Sequence, residues 1–256
     1  MKGYWKAEWY RCLTSWEFWI SIIGIAGTYF ITSYISPVGG ISVYETYYLH
    51  WWKSFGMLVY LFGTFSYAHS LREDMETGFY DQAIARGSLT HYVRTKCVVC
   101  FGAACFVQIV GTISFCLLYR FHCPWIREGN DAVQAMARID CFKSLIGEQT
   151  ILFYFLCSSA MTGLLSGLLA LLSMWCSLFF KNRMFQLTIP LISFYFLENV
   201  LTEWNEDWSI YDIFISSNSF FSVWWKDVML KVLVTGILFV LLFWAIYYKV
   251  EREEKK

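Results

Sequence analysis

The sequence predicts an all-α polytopic membrane protein: six transmembrane helices behind an N-terminal amphipathic helix, with both termini cytoplasmic. Three observations lead there. The 256 residues are 57% hydrophobic and only 16% charged, with a mean hydropathy of +0.45, whereas a soluble domain carries about 25% charged residues. Charge-free apolar runs recur along the chain at about the 20-residue length that crosses a bilayer core. Lys and Arg also alternate in density between successive connections, as the positive-inside rule requires.

The amphipathic lead is WKAEWYRCLTSW. Trp5, Trp9, Cys12, Leu13 and Trp16 share one helical stripe, and Lys2, Lys6 and Arg11 avoid it, which describes a helix lying in the membrane interface. A cleaved signal peptide is the competing reading; the length of the lead and the lack of a small-x-small site argue against it. The spans follow at residues 18–36, 54–71, 97–119, 149–180, 184–197 and 232–248, the fifth short and interrupted by Pro190. Residues 37–49 read as a short connection. Residues 120–148 form a longer one, in which GNDAVQAMARIDCFKSLIG reads as a small helix capped by Asn130 or Asp131.

With the N-terminus inside, thirteen of the twenty Lys and Arg lie on inner segments, and eleven of the twenty acids lie on outer ones. The inner face is thereby net positive and the outer net negative. The thirteen tryptophans cluster at span ends, six inner and seven outer, where the amphipathic ring settles.

The segment LREDMETGFYDQAIARGSLTHYVRTK, residues 71–96, is cytoplasmic on this topology, and its charges balance. A helix over 73–85 is expected, ended by Gly87 in a left-handed position, with Ser88 or Thr90 capping the helix that enters the third span. On the outer side, residues 202–228 mix Trp204, Trp208, Trp224 and Trp225 with acids, so this stretch is expected to dip into the outer leaflet rather than expose an apolar patch. Ser159, Gly163 and Gly167 fall at four-residue spacing in the fourth span. Such a face packs against another helix, of this chain or of a second subunit.

Chemistry-bearing motifs are missing. There is no Gly-rich phosphate loop, no His/Cys/acid spacing suited to a metal, and no nucleophile motif. No span holds an ionisable residue at its midpoint; Glu198 comes nearest. The zero net charge gives no basic surface for nucleic acid. Enzyme activity in this chain is not expected. Of nine cysteines, most lie in apolar runs as small hydrophobes; Cys97 and Cys100 open a span, and Cys123 and Cys141 share one connection, where a disulfide is open if that connection is external.

Taken together, residues 2–17, Glu76, Gly78, Gly87, Ser88, Tyr92 and Lys96 after the second span, the turn LFFKNRMFQ, and residues 202–228 resemble the membrane subunit of type-2 ATP-binding-cassette exporters. The departure is Gly87, where that family carries Pro. The resemblance implies an elbow helix at 2–17 and a coupling helix that docks on a separate cytoplasmic ATPase subunit, with Glu73, Asp74, Glu76, Gly78, Arg86 and Gly87 at the contact. It implies a second permease, as homo- or heterodimer, contact with membrane lipid, and ATP and Mg carried by the partner, with no cofactor in this chain. The substrate class implied is amphipathic (a lipid, antibiotic or antimicrobial peptide), gated by Trp204, Trp208, Trp224 and Trp225, in a bacterial plasma membrane. A proton-coupled secondary transporter and a non-transporting scaffold or sensor are the alternatives.

Overall fold

The computed structural model describes residues 2–35, 42–52, 56–85, 88–126, 140–147, 149–204, 209, 213–215, 221 and 223–254. Among them the secondary structure is helical: α1 (Lys2–Thr14), α2 (Trp16–Ile35), α3 (Val43–Trp52), α4 (Gly56–Phe65), α5 (Ser70–Glu76), α6 (Phe79–Ala85), α7 (Leu89–Arg120), α8 (Ile151–Ser177), α9 (Arg183–Trp204) and α10 (Trp224–Glu254). Five of these, α2, α7, α8, α9 and α10, are long and apolar enough to cross a membrane.

Each start has a local cause. Ser15 separates α1 from α2, and its hydroxyl accepts from the Phe18 N–H. Ser88 caps α7 by accepting from His91 N–H, as its position before the apolar run predicts. Asn182 accepts from Met184 N–H and opens α9 just after the turn that ends α8.

The second expected span is corrected. Helix begins at Val43, inside the stretch read as a connection, and α4 ends at Phe65 rather than running to residue 71. The charge of Glu45 hid this start. Its carboxylate accepts from Ser42 Oγ at 3.0 Å, Ser42 Oγ accepts in turn from Glu45 N–H, and the first free N–H groups, of Val43 and Tyr44, donate to the carbonyls of Pro124 and Trp125. A helix start buried this way has its orphan donors satisfied by protein instead of water. The helix expected over residues 129–147 falls mostly outside the described residues; the described part, 140–147, holds a short 3₁₀ turn at Lys143–Leu145.

α8 is the middle of the bundle, with 67% of its apolar window buried against 17% for α10. Its small-residue face meets α7 of the same chain. A Cβ on Gly163 would lie 3.4 Å from the Cys105 backbone, a Cβ on Gly167 would strike the Phe101 ring at 2.6 Å, and Ser159 is fully buried. The Cys105 thiol donates to the Gly163 carbonyl at 3.1 Å. On its other side α7 meets α2, where Gly111 admits Ile25. All nine cysteines are free thiols, Cys123 and Cys141 included.

Pro190 does not interrupt the fifth helix, which runs unbroken from Arg183 to Trp204. Proline removes one N–H and so orphans the carbonyl four residues earlier. Here that carbonyl belongs to Gln186, and Ser173 Oγ of α8 donates to it at 2.8 Å. The freed acceptor is satisfied by a neighbouring helix, as a membrane interior demands. Ser173→Ala should therefore lower stability in detergent by about 1–3 kcal/mol, the cost of an unsatisfied buried acceptor. In a Pro190→Ala background, where the Gln186 carbonyl regains its own helical donor, the same change should cost markedly less; equal costs in a double-mutant cycle followed by thermal melting would refute the pairing.

Candidate functional site: a buried ion network joining α1, α5 and α7

The segment after α4 is two short helices rather than one. α5 ends at Glu76; Gly78, two residues on, has a φ of +72°, in the left-handed region, and α6 follows. Gly78 adds a break inside the helix expected over 73–85, whose end at Ala85 is where α6 stops; Arg86 and Gly87 lie outside the described residues.

α5 presents three faces. Ser70, Leu71 and Asp74 turn inward and are buried. Glu76 is exposed and ion-paired with Arg72 at 2.7 Å, and this hydrogen bond holds its carboxyl below the ordinary value. Glu73 is exposed and borders a small recess with Ser15, Glu17, Phe65 and His69. Asp74, expected among the contacts offered to a partner, is instead fully buried. Its i, i+4 relation to Ser70 puts it on the face that packs on the bundle.

Asp74 belongs to a closed network. Lys96 Nζ lies 2.7 Å from Asp74 Oδ2 and 2.9 Å from Glu8 Oε2, and all three side chains are buried. Arg11 reaches Asp74 Oδ1 at 2.8 Å and Glu8 Oε1 at 3.3 Å. Two phenols complete the shell: Tyr67 OH donates to Glu8 at 2.7 Å and Tyr92 OH to Asp74 at 2.8 Å. The same two rings stand 5.5 and 5.9 Å from the Lys96 ammonium, and Arg11 lies 5.0 Å from the Phe79 ring of α6. Two carboxylates, one ammonium and one guanidinium sum to zero. Neutrality of this kind is what lets ionised groups remain paired in a low-dielectric interior.

Burial by itself would raise the Asp74 carboxyl; Lys96, Arg11 and Tyr92 outweigh it and hold the group below its ordinary value. For Arg11, burial pulls the guanidinium down, and Asp74 more than reverses it. The Cys12 thiol, buried one turn from Glu8, is pushed up to about 12, which keeps it protonated and unreactive.

The partial signal for this network was in α1. Glu8 sits on the same face as Trp5 and Cys12, and that buried face, with Trp9 against Gly102 of α7, is what fixes α1. Leu13 and Trp16, expected on the stripe that faces the membrane interface, are exposed at the bundle surface. A second buried polar cluster lies around the start of α10. Lys231 Nζ donates to the Ile215 carbonyl at 2.9 Å, Asp227 accepts from Phe221 N–H, and Tyr154 OH donates to Asp140 at 2.7 Å. Of the four tryptophans expected at an outer gate, Trp204, Trp224 and Trp225 are exposed, and Trp208 lies outside the described residues. Among the described residues no His, Cys, Asp or Glu group is arranged to hold a metal.

No family model, curated protein or solved structure matches the chain. Its functional reading therefore rests on the geometry and on the resemblance carried by its own residues.

Lys96→Met leaves two carboxylates buried with only Arg11 against them, and should cost about 3–5 kcal/mol, the range for removing one member of a buried pair. Adding Glu8→Gln and Asp74→Asn to it should recover part of that loss in detergent melts. The pH response follows from Asp74. A carboxyl with a depressed folded pKa stabilises above its unfolded value, about 3.9, and that contribution is lost as pH falls through the folded value. Wild-type chain should lose stability in acid below about pH 4 more steeply than Asp74→Asn does; parallel curves would show that Asp74 does not carry the effect.

Proposed function

We propose that this chain is the permease subunit of a transporter powered by a separate ATPase, moving an amphipathic substrate such as a lipid, antibiotic or antimicrobial peptide within or out of the membrane. One observation carries the reading. A short polar helix between two membrane segments, α5, is tied through Asp74 to the long helix α7 by a fully buried ion pair with Lys96, and to the N-terminal helix α1 by a partly buried one with Arg11. A solvated connector has no need of such a tie. A lever that receives force from outside the bundle does, because its displacement must pass into the helices instead of being absorbed by a loose loop.

In this role α1 is the elbow, α5 and α6 face the cytoplasm, and Glu73 and Glu76 are offered to the ATPase. Asp74 acts from within, holding the lever to α7. ATP and Mg belong to the partner, and a second permease completes the translocation path, with Trp204, Trp208, Trp224 and Trp225 at its outer end. The exposed apolar faces of α9 and α10, including Ile192, Phe196, Leu233, Ile237 and Leu241, suit lipid contact in a multi-pass protein of a bacterial plasma membrane.

Full-length chain purified in mild detergent from its own membrane should bring with it an ATP-hydrolysing subunit. Glu73→Lys should reduce that associated hydrolysis about tenfold or more while leaving membrane insertion and the melting temperature unchanged. Wild-type preparations free of ATPase, or a reporter tag near residue 80 found outside the cell, would overturn the proposal.

A further inference from the structure

His69 sits in the turn that joins α4 to α5, and its carbonyl accepts from Glu73 N–H at 3.0 Å in the first turn of α5. Its ring lines a recess of about 40 Å³ with Ser15 and Glu17 beside the start of α2, Phe65 at the end of α4, and Ser70 and Glu73 of α5. The ring Nε2 and the Ser70 hydroxyl are both shut off from solvent, and among the described residues neither has a hydrogen-bond partner. Tyr67 stands on the wall of the same recess and donates to Glu8 of the buried network. α5 is therefore held by Asp74 in the network and closed over this recess at its root. Burial disfavours a charged imidazole here, and Arg183 at the start of α9 disfavours it further. Glu73 of α5, Glu17 of α2 and Glu76 of α5 act the other way but do not outweigh the two, so the group lies below its ordinary value. Two of those carboxylates are already engaged, Glu17 by Arg183 at 3.8 Å and Glu76 by Arg72 at 2.7 Å.

We infer that His69 is an acid-sensitive catch: uptake of a proton by its imidazole opens the recess and releases the root of α5 from the start of α2, while Asp74 stays in the network. The closed recess offers the imidazolium a buried nitrogen with nothing to donate to and a guanidinium nearby. An open recess offers water. A ligand shifts an equilibrium toward the state that binds it better, and here the ligand is the proton. The response falls below about pH 6.5, the value for a free imidazole. Asp74 is still ionised there, since its own carboxyl lies below the ordinary range. The inference goes beyond the functional reading and concerns this chain alone. Where α5 is the lever, acid slackens its root, and Glu73, which borders the recess, moves with it.

The test uses full-length chain in detergent with no ATPase present. Backbone hydrogen exchange reports the root of α5 through the amides of Ser70 and Glu73, which donate to the carbonyls of Tyr67 and His69. Between about pH 7.5 and 5, and after correction for the intrinsic rate, wild-type protection across 66–73 should fall about fivefold or more, with the amides at the start of α7 unchanged. His69→Gln takes up no proton and should hold its protection constant over that range. His69→Arg, charged throughout, should exchange at neutral pH as the wild type does in acid. Melting has the same sign: an imidazole held below its unfolded value of about 6.5 binds fewer protons folded than unfolded, so stability falls as pH drops below that value. The wild-type melting temperature should therefore drop more than that of His69→Gln. Wild-type protection that stays constant down to about pH 5, or that falls equally in His69→Gln, would overturn the catch. Presence or absence of a co-purifying ATPase leaves this result untouched, so the two proposals fail separately.

Discussion

The ammonium of Lys96 lies out of reach of bulk solvent. It is buried at the start of α7, and its charge persists there because Glu8 and Asp74 approach within 3 Å from two other segments. Withdrawing any one of the three strands a charge in a low-dielectric setting, at several kcal/mol per ion. The arrangement therefore acts as a constraint on geometry more than as a source of net stability. α1, α5 and α7 keep one mutual position, and the outward surface of α5, which carries Glu73 and Glu76, inherits that position.

The rest of the bundle follows from how closely helices can approach. Gly111 admits Ile25 from α2, and Gly163 and Gly167 let α7 and α8 meet at backbone distance. In hydrocarbon, where apolar burial supplies no drive between helices, such contacts and buried hydrogen bonds are what hold spans together. The two helices left at the edge, α9 and α10, carry apolar side chains outward, as a lipid-facing surface does.

Apolar runs were legible where a helix needs no partner to be in the membrane. α2, α7, α8 and α10 all contain the runs that announce them. The start of α10 was not legible, because a charge-free criterion stops at Lys231, whose ammonium is carried inside the fold by the Ile215 carbonyl. The same criterion hid α3 behind Glu45. In the segment after α4, composition correctly indicated helix followed by a capped new helix at Ser88, but not the additional break within it. Only the backbone reveals that Gly78 takes the left-handed turn. The network itself needs residues 8, 74 and 96 to converge, which no local pattern encodes; a lone acid on the Trp5 and Cys12 face was the nearest clue.

The bond from Ser173 to the Gln186 carbonyl has a mechanical consequence. Sliding α9 along α8 by even a single residue would strip the acceptor vacated by Pro190 and leave it bare in oil. The two helices are held as if by a detent, free to tilt together but not to change register. In any rearrangement of the bundle that keeps this bond, α8 and α9 travel as one piece.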